Sequence, residues 1–308
     1  MSRRVTASRV AASRVRGSLL AVAGGAVAAG AAVSALRRAT RGREGWSRPN
    51  FRGTPVSLAG GPGVAAAASL AAAAAAANPA TAAAALAAGL GAGGFGLYDD
   101  LVGTRPEHHA KGFHGHLAAL RRGRVTSGVT KILGIGAASL AAAALLPGPD
   151  QESAGRPAGS RRRSVHTLVG AGVIAGAANL FNLLDLRPGR ALKVAVLVGT
   201  PLAAGPDGGV AAGAVGAALG AMPADLSERT MLGDCGANAL GAILGTAWAA
   251  RTGLIGRAAA LVVIAGLTAA SERISFTQVI AERPVLRRLD ELGRRNPDPG
   301  HPAPPRDG

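Results

Sequence analysis

The chain has 308 residues, 48% of them hydrophobic, with 46 glycines but only two Trp, one Tyr and five Phe. It carries 34 Lys and Arg against 17 Asp and Glu, a formal net charge of +17. Apolar runs of about 15 to 22 residues recur between short charged stretches, which is typical of a polytopic helical membrane protein and argues against a soluble enzyme. The basic residues lie in the loops between these runs, so the charge favours anionic lipid headgroups over nucleic acid as a partner. The single cysteine, Cys235, excludes an internal disulfide and a cysteine-based metal site.

The apolar segments predict an all-α, polytopic integral membrane protein with about nine transmembrane helices. They are residues 17–36, 55–77, 80–98, 128–147, 164–184, 191–205, 209–223, 236–250 and 254–270. The first of them also resembles a signal peptide with a cleavage-like "VSA", but the later spans favour a retained helix.

Three further regions flank the membrane domain, which we place at 17–270. A basic segment, 1–16, precedes it. Residues 271–295 predict an amphipathic basic segment on the membrane surface. The polar, proline-rich residues 296–308 predict a disordered tail.

The charge distribution predicts which loops face the cytoplasm. Residues 37–54 contain six arginines, which the positive-inside rule places on the cytoplasmic side. Alternation of the spans then brings 99–127, 185–193, 224–235 and 271–308 to the same side. Arginines in 1–16 and in "GRPAGSRRR" favour the opposite orientation, so the prediction depends on residues 37–54.

Four carboxylates lie where apolar segments meet the predicted cytoplasmic side: Asp99, Asp100, Asp185 and Asp234. A carboxylate beside hydrocarbon is costly unless it is paired, hydrated or functional, and two adjacent carboxylates repel each other. Mg²⁺ held by one or two carboxylates and by substrate phosphates relieves that repulsion. The alternative is that the aspartates are solvated loop residues, with Asp185 paired to Arg187 or Arg190.

Other polar residues accompany these acids. Asn179 and Asn182 are three apart, on one face of the helix that ends at Asp185. The loop after Asp100 contains Lys111 and four histidines, which favour a phosphate-facing loop over a zinc site because no cysteine or carboxylate stands at ligand spacing. Gly91, Gly93 and Gly96 match G-x-G-x-x-G, but the match lies inside an apolar helix and indicates no nucleotide site.

Five short motifs, taken in chain order, resemble those of the polyprenyl-phosphate N-acetylhexosamine-1-phosphate transferases, the membrane enzymes typified by phospho-N-acetylmuramoyl-pentapeptide transferase (glycosyltransferase family 4). The motifs are "RGTPVSLAGGP", "GFGLYDD", "KGFHGHLAAL", "NLFNLLD" and "MLGDCGANALG". Each is short, but all five stand in the family's order and near helix ends, over residues 45 to 290.

The resemblance implies Mg²⁺-dependent transfer of a sugar-1-phosphate from a UDP-sugar to a polyprenyl phosphate, with release of UMP, for synthesis of a cell-envelope glycan. It implies a multi-pass protein of the cell membrane, with catalytic loops facing the cytoplasm, that forms a homodimer; Mn²⁺ is an alternative ion. Carried over by position, the implied roles are catalytic for Asp99, Asp100 and Asp185, metal-binding for Asp234 and Asp100, and substrate-binding for Lys111, Asn179 and Asn182.

Two departures keep a second hypothesis open. The family's Asn-x-x-Asn-x-x-Asp motif continues to a further aspartate, but here Pro188 stands in its place. The family's late histidine-rich loop is replaced by "TQVIAERPVLRRLDELGRR". A non-catalytic membrane protein that binds a lipid-linked sugar or a nucleotide, or that scaffolds envelope assembly, is therefore the alternative. A small-solute transporter is a third hypothesis, opposed by the position of the acids at one membrane face.

Overall fold

The computed structural model describes residues 2–103, 126–147 and 160–295, and in this part of the chain the fold is all-α apart from one short hairpin. The helices are α1 (Ser2–Ala39), α2 (Gly60–Ala74), α3 (Pro79–Val102), α4 (Ser127–Leu145), α5 (Ser160–Leu184), α6 (Arg190–Ala204), α7 (Gly209–Leu226), α8 (Gly233–Arg251), α9 (Leu254–Ser271), α10 (Phe276–Glu282) and α11 (Pro284–Glu291). Strands β1 (Ser47–Pro49) and β2 (Pro55–Ser57) pair antiparallel between α1 and α2.

Among the residues that the structure describes, six helices are long and apolar enough to cross a membrane, as expected for a helical membrane protein. They are Val15–Ala39 within α1, Pro79–Val102, Ser127–Leu145, Ser160–Leu184, Gly209–Leu226 and Leu254–Ser271. Each of the nine predicted apolar segments overlaps a helix, but nine spans are not confirmed. Helices α2 and α6 have 15 residues each, about 22 Å of helix against a hydrocarbon core of about 30 Å.

Helix α8 is not among these six helices, and its place in the bundle explains how a less apolar helix is accommodated. It packs against α3, α5 and α2, and nearly every residue from Cys235 to Thr246 is buried. A helix enclosed by other helices is not exposed to lipid and needs no continuous apolar surface. Its first turn can therefore carry Asp234, and its last turn carries Arg251.

Small residues bring α8 close to its neighbours. A Cβ on Gly241 would stand 2.4 Å from the backbone oxygen of Ala177 in α5, and one on Gly96 would stand 2.4 Å from that of Asp234. Close backbone approach through glycine and alanine is how helices pack in lipid. The glycines at the end of α3 therefore serve helix packing, and they set how near Asp99 and Asp100 come to α8.

We expect Gly96→Ala to destabilise the protein, because its new methyl group would overlap a backbone atom that cannot rotate away. Overpacking of this kind costs about 1–3 kcal/mol. Gly94→Ala is the matched control, since nothing lies within 4 Å of a Cβ there and alanine is favoured over glycine in a helix by roughly 0.5–1 kcal/mol. Thermal unfolding in detergent should show a lower Tm for Gly96→Ala alone; equal Tm values for both variants would contradict the close packing.

The helix ends that carry the predicted acids meet at one end of the bundle. The hairpin contacts the segment before α8, where the amide of Met231 donates to the oxygen of Ser57 at 2.9 Å. Arg48 of β1 donates to the backbone oxygen of Asp100 at the end of α3. The C-terminal helices reach the same end, because Arg190 at the start of α6 binds Asp290 of α11.

Helix α11 is amphipathic, as the sequence of 271–295 predicts. Its apolar side chains Val285, Leu286 and Leu289 are exposed, as is Leu292 just beyond it. Asp290, in contrast, is only 10% exposed and is held by arginines. Attachment of the apolar face to a membrane surface stays a prediction. Residues 296–308, where we expect the disordered tail, lie outside the described part of the chain.

Candidate functional site

A pocket of about 290 Å³ lies at the end of the bundle where these helix ends meet. Three of the predicted acids, Asp100, Asp185 and Asp234, line it, although they come from α3, the end of α5 and the start of α8. The other charged side chains that line the pocket are Arg48, Arg187, Asp225 and Glu228. Acids that are far apart in the sequence therefore face one cavity.

Asp100 is fixed by the N-terminus of α8. Its Oδ1 accepts from the backbone amide of Asp234 at 3.1 Å, and its Oδ2 accepts from the amide of Cys235 at 2.9 Å. The first amides of a helix have no partner within the helix and carry partial positive charge, so they stabilise a carboxylate. Gly233, with φ +59°, turns the chain into this helix, and a side chain there would contact the Asp100 carboxylate.

Asp99 points to α4, away from the lining of the pocket. Its Oδ2 lies 2.8 Å from the Nζ of Lys131, and the same Nζ lies 2.5 Å from Oδ2 of Asp234. One ammonium group thus bridges two carboxylates from two different helices. The two neighbouring aspartates of α3 have different surroundings: Asp100 contacts backbone amides and Asp99 contacts a cation.

Asp185 and Asp225 line the same pocket, and the carboxylate of Asp185 accepts from the backbone amide of Gly233. Oδ2 of the buried Asp225 accepts from the amide of Gly189 at 2.5 Å, so it ties the end of α7 to the turn that follows Asp185. Burial raises the pKa of Asp185 well above its usual value, and the nearby carboxylates Asp225, Asp234 and Asp100 raise it further. The ionised form of Asp185 is therefore disfavoured, both by burial and by the negative charge of its neighbours.

The rim of the pocket is basic and contains one aromatic ring. The guanidinium of Arg187 lies over the ring of Phe51 at 4.3 Å from its centroid, and that of Arg52 lies at 5.0 Å. Arg52 also pairs with Glu228 at 3.2 Å, which joins the hairpin to the loop after α7. Cationic side chains around a pocket lined by carboxylates suit an anionic ligand that binds together with a cation.

The remaining predicted residues do not line this pocket. Asn182 is half-buried and Asn179 is exposed, one helical turn before it. Lys111 lies outside the described residues. Arg190 pairs with Asp290, so the alternative in which it neutralises Asp185 is wrong.

Five charged residues of the described site were not predicted: Arg48, Lys131, Arg187, Asp225 and Glu228. Lys131 is a cation inside an apolar segment, and Asp225 is an acid at the end of another one. Ionisable residues in such positions are costly in lipid, so each is a functional candidate by that criterion alone. Their partners could not be read from the sequence, because the pairings depend on how the helices pack.

The residues of the pocket fit a divalent cation. In residues 2–103, 126–147 and 160–295, no three His, Cys, Asp or Glu side chains are grouped to hold a metal ion by themselves. Mg²⁺ does not require such a group, because it commonly uses one or two carboxylates and completes its shell with water and substrate oxygens. Asp100 accepts from the backbone amide of Asp234, and the carboxylates of Asp100, Asp185 and Asp234 all line this pocket, so the ion has up to three carboxylates within one cavity.

We expect Asp185→Asn to stabilise the metal-free protein. Because the folded-state pKa of Asp185 is raised above its unfolded value, ionisation of this group lowers stability as the pH rises from the unfolded pKa to the folded one. The amide removes that penalty, so the variant should gain on the order of 2 kcal/mol at neutral pH. The gain should be larger at pH 8 than at pH 5 when unfolding is measured in the presence of chelator.

Asp207→Asn is the control for this experiment, because Asp207 is exposed in the turn between α6 and α7. It should leave the pH dependence of unfolding unchanged. A destabilised Asp185→Asn variant, or a gain that is the same at both pH values, would contradict the assignment of Asp185 as a penalised buried acid.

Comparison with known proteins adds no family assignment. No protein-family model matches the chain, and no curated protein matches it.

Proposed function

We propose that the protein is a membrane sugar-phosphate transferase that moves a sugar-1-phosphate from a UDP-sugar to a polyprenyl phosphate and releases UMP. The observation that carries the proposal is the convergence of Asp100, Asp185 and Asp234 on one pocket at the end of the bundle. The order of the five sequence motifs supports it, because they resemble those of the polyprenyl-phosphate N-acetylhexosamine-1-phosphate transferases.

A lipid acceptor is supported by an apolar groove next to the pocket. The groove has a volume of about 360 Å³ and lies between α5, α6, α8 and α9. Phe181 and Leu184 line it, and Leu184 is followed directly by Asp185, which lines the acidic pocket. A polyprenyl chain in the groove would place its phosphate beside the carboxylates, while a nucleotide sugar would enter the pocket from water.

The reaction forms one P–O bond and breaks one. An oxygen of the polyprenyl phosphate attacks the sugar-bearing phosphorus of the donor, and the bond from that phosphorus to the oxygen of the UMP phosphate breaks. Bound Mg²⁺ would neutralise the charge of the diphosphate. Asp234 and Asp100 would hold the ion. Asp99, which contacts Lys131 outside the lining of the pocket, would keep the ammonium group beside Asp234.

The other side chains of the pocket position the substrates in this proposal. Arg48 and Arg187 line the pocket together with the acids, where they would contact phosphate oxygens of the donor. The turn at Gly189 is held by Asp225, which fixes the loop that carries Arg187. We place the site on the cytoplasmic face of the cell membrane, because residues 37–54, which lead into the hairpin of the site, carry six arginines.

The test is transfer of radiolabel from a panel of UDP-sugars to undecaprenyl and decaprenyl phosphate by the purified protein, with and without Mg²⁺. We expect a lipid-linked sugar and equimolar UMP, formed only with Mg²⁺ or Mn²⁺. Absence of product with every donor, with folded protein and an active control enzyme, would overturn the proposal.

A non-catalytic binding protein is the second candidate, and one observation favours it. Pro188, at the position of the family's further aspartate, lines the pocket, so the loop after Asp185 offers a proline where a carboxylate is expected. Saturable binding of a UDP-sugar without release of UMP would establish this candidate over the transferase.

A further inference from the structure

Lys131 is the cation that contacts both Asp99 and Asp234, and its position follows from the packing of α3 on α4. The ring of Phe95 lies against Gly134, where a Cβ would stand 2.3 Å from the ring. Phe95 is one helical turn before Asp99, and Gly134 is nearly one turn after Lys131. The contact therefore sets the register of the two helices and places the ammonium group opposite Asp99.

The ammonium group stands where a divalent ion at Asp234 would act. Its 2.5 Å contact is to Oδ2 of Asp234, so an ion that binds this oxygen must weaken or replace the contact. The side chain is 18% exposed and Asp99 is 17% exposed. Water therefore screens these charges only in part. Replacing the ammonium group by a divalent ion thus changes the electrostatic energy of the carboxylates appreciably.

We propose that Lys131 is a positioning residue that holds Asp99 and Asp234 together before the substrates arrive and competes with the divalent ion for Asp234. This inference rests on the proposed function. When the ion binds Asp234, the ammonium group keeps its contact with Asp99 and becomes available to an oxygen of the substrate phosphates. Lys131 thereby sets the affinity for the ion, and it prevents the two carboxylates from repelling each other while the site is empty of substrate.

The test measures Mn²⁺ binding by electron paramagnetic resonance in the full chain, together with Tm in chelator and in Mn²⁺. Lys131→Met should bind Mn²⁺ roughly tenfold to a hundredfold more tightly than the wild type, because a positive charge next to the ion is removed. The same variant should have a lower Tm in chelator, and Mn²⁺ should raise its Tm by more than it raises that of the wild type.

Controls separate the charge of Lys131 from its shape. Lys193→Met removes the same charge from a lysine that donates to the backbone oxygen of Asp290 at 2.6 Å, and it should keep the wild-type affinity for Mn²⁺. Lys131→Gln keeps hydrogen-bond donors but removes the charge. It should bind Mn²⁺ more tightly than the wild type, as Lys131→Met should, and it still tests the proposal if Lys131→Met folds poorly. Lys131→Arg keeps the charge and should stay within about threefold of the wild type.

The outcomes distinguish this inference from the proposed function. Mn²⁺ binding that is equally strong in the wild type, Lys131→Met and Lys131→Gln would overturn the competition and leave the metal site intact. Absence of binding to the wild type, or binding that Asp234→Asn does not weaken, would overturn the metal site and the competition together.

Discussion

Asp234→Asn and Asp100→Asn should each lower the rate of sugar-phosphate transfer by at least about a thousandfold, since each removes a carboxylate that would hold the divalent ion at the reacting phosphates. Both substitutions preserve shape, and Asp234→Asn leaves Lys131 its 2.8 Å contact with Asp99. Transfer of label at saturating donor and lipid measures the effect. The loss should appear in kcat, because the ion stabilises charge that develops in the transition state.

The two variants should differ in stability. Asp100→Asn gives up one of the two amide hydrogen bonds that Asp100 accepts at the start of α8. Asp234→Asn loses only the charged contact with Lys131, which keeps Asp99 as its second partner. Asp207→Asn, at an exposed turn, is the control for both activity and stability. UMP release that persists in folded Asp234→Asn would overturn the role of this carboxylate.

The position of the acids could be predicted from the sequence because it depends only on where apolar segments end. Asp100, Asp185 and Asp234 lie at helix ends, and alternation of the helices brings those ends to one side of the bundle. The structure places all three around one pocket. Which carboxylate contacts which cation depends on side-chain packing, and the sequence contains no signal for it. The bridge from Lys131 to Asp99 and Asp234 joins residues 32 and 103 positions apart and was therefore missed.

The asparagines show a second limit of the sequence. Spacing of three residues places Asn179 and Asn182 on one side of a helix, but it does not say which way that side faces. In the structure, α5 turns Ala177 and Ala178 toward Gly241 of α8. This rotation leaves Asn179 exposed and Asn182 half-buried. The rotation of the helix about its axis is set by contacts of glycine and alanine, and a hydropathy pattern does not distinguish which of these residues make contacts.

The number of spans was predicted from length and hydropathy, and both signals are weak for helices enclosed by protein. Helix α8 is at the centre of the bundle, so its sequence can include a charged first turn and still fold. Helix α6 begins at Arg190, whose side chain is only 4% exposed and is directed to Asp290. The charged residues Asp234 and Arg190 at the starts of these two helices contact other segments of the chain, so they need not indicate where a helix leaves the lipid.

Asp290→Asn should release the C-terminal helices from the bundle. Arg190 contacts Asp290 with two nitrogens, at 2.8 and 3.0 Å, and donates to Thr277 of α10 at 2.9 Å. Arg294 contacts the same carboxylate at 2.7 Å. Removing one member of such a buried pair leaves the other charge uncompensated, which costs about 3–5 kcal/mol. Trypsin should therefore cleave the variant after Arg287 and Arg288 at least about tenfold faster than the wild type.

Glu291→Gln is the matched control, since Glu291 is the exposed neighbour of Asp290 in the same helix, and it should keep the wild-type rate of cleavage. Equal cleavage of Asp290→Asn and the wild type would contradict the anchoring role of this carboxylate.

Acid should act in the same direction as the substitution. Burial alone raises the pKa of Asp290, but the hydrogen bonds and charges of Arg190 and Arg294 outweigh it and hold the pKa below its usual value. The stabilisation is thus fully present at neutral pH and is lost as the pH falls below about 4.

The release should also reach the pocket, because hydrogen bonds join the C-terminal segment to residues around it. Nε of Arg294 donates to the backbone oxygen of Pro188 at 3.0 Å, and Pro188 and Arg187 line the pocket. A free C-terminal segment would remove this tie from the loop, so Arg187 would be less well positioned for a phosphate. We therefore expect Asp290→Asn to raise the KM for the UDP-sugar more than it lowers kcat, because the carboxylates of the reaction stay in place. An unchanged KM alongside faster cleavage would show that the segment is anchored to the bundle without supporting the site.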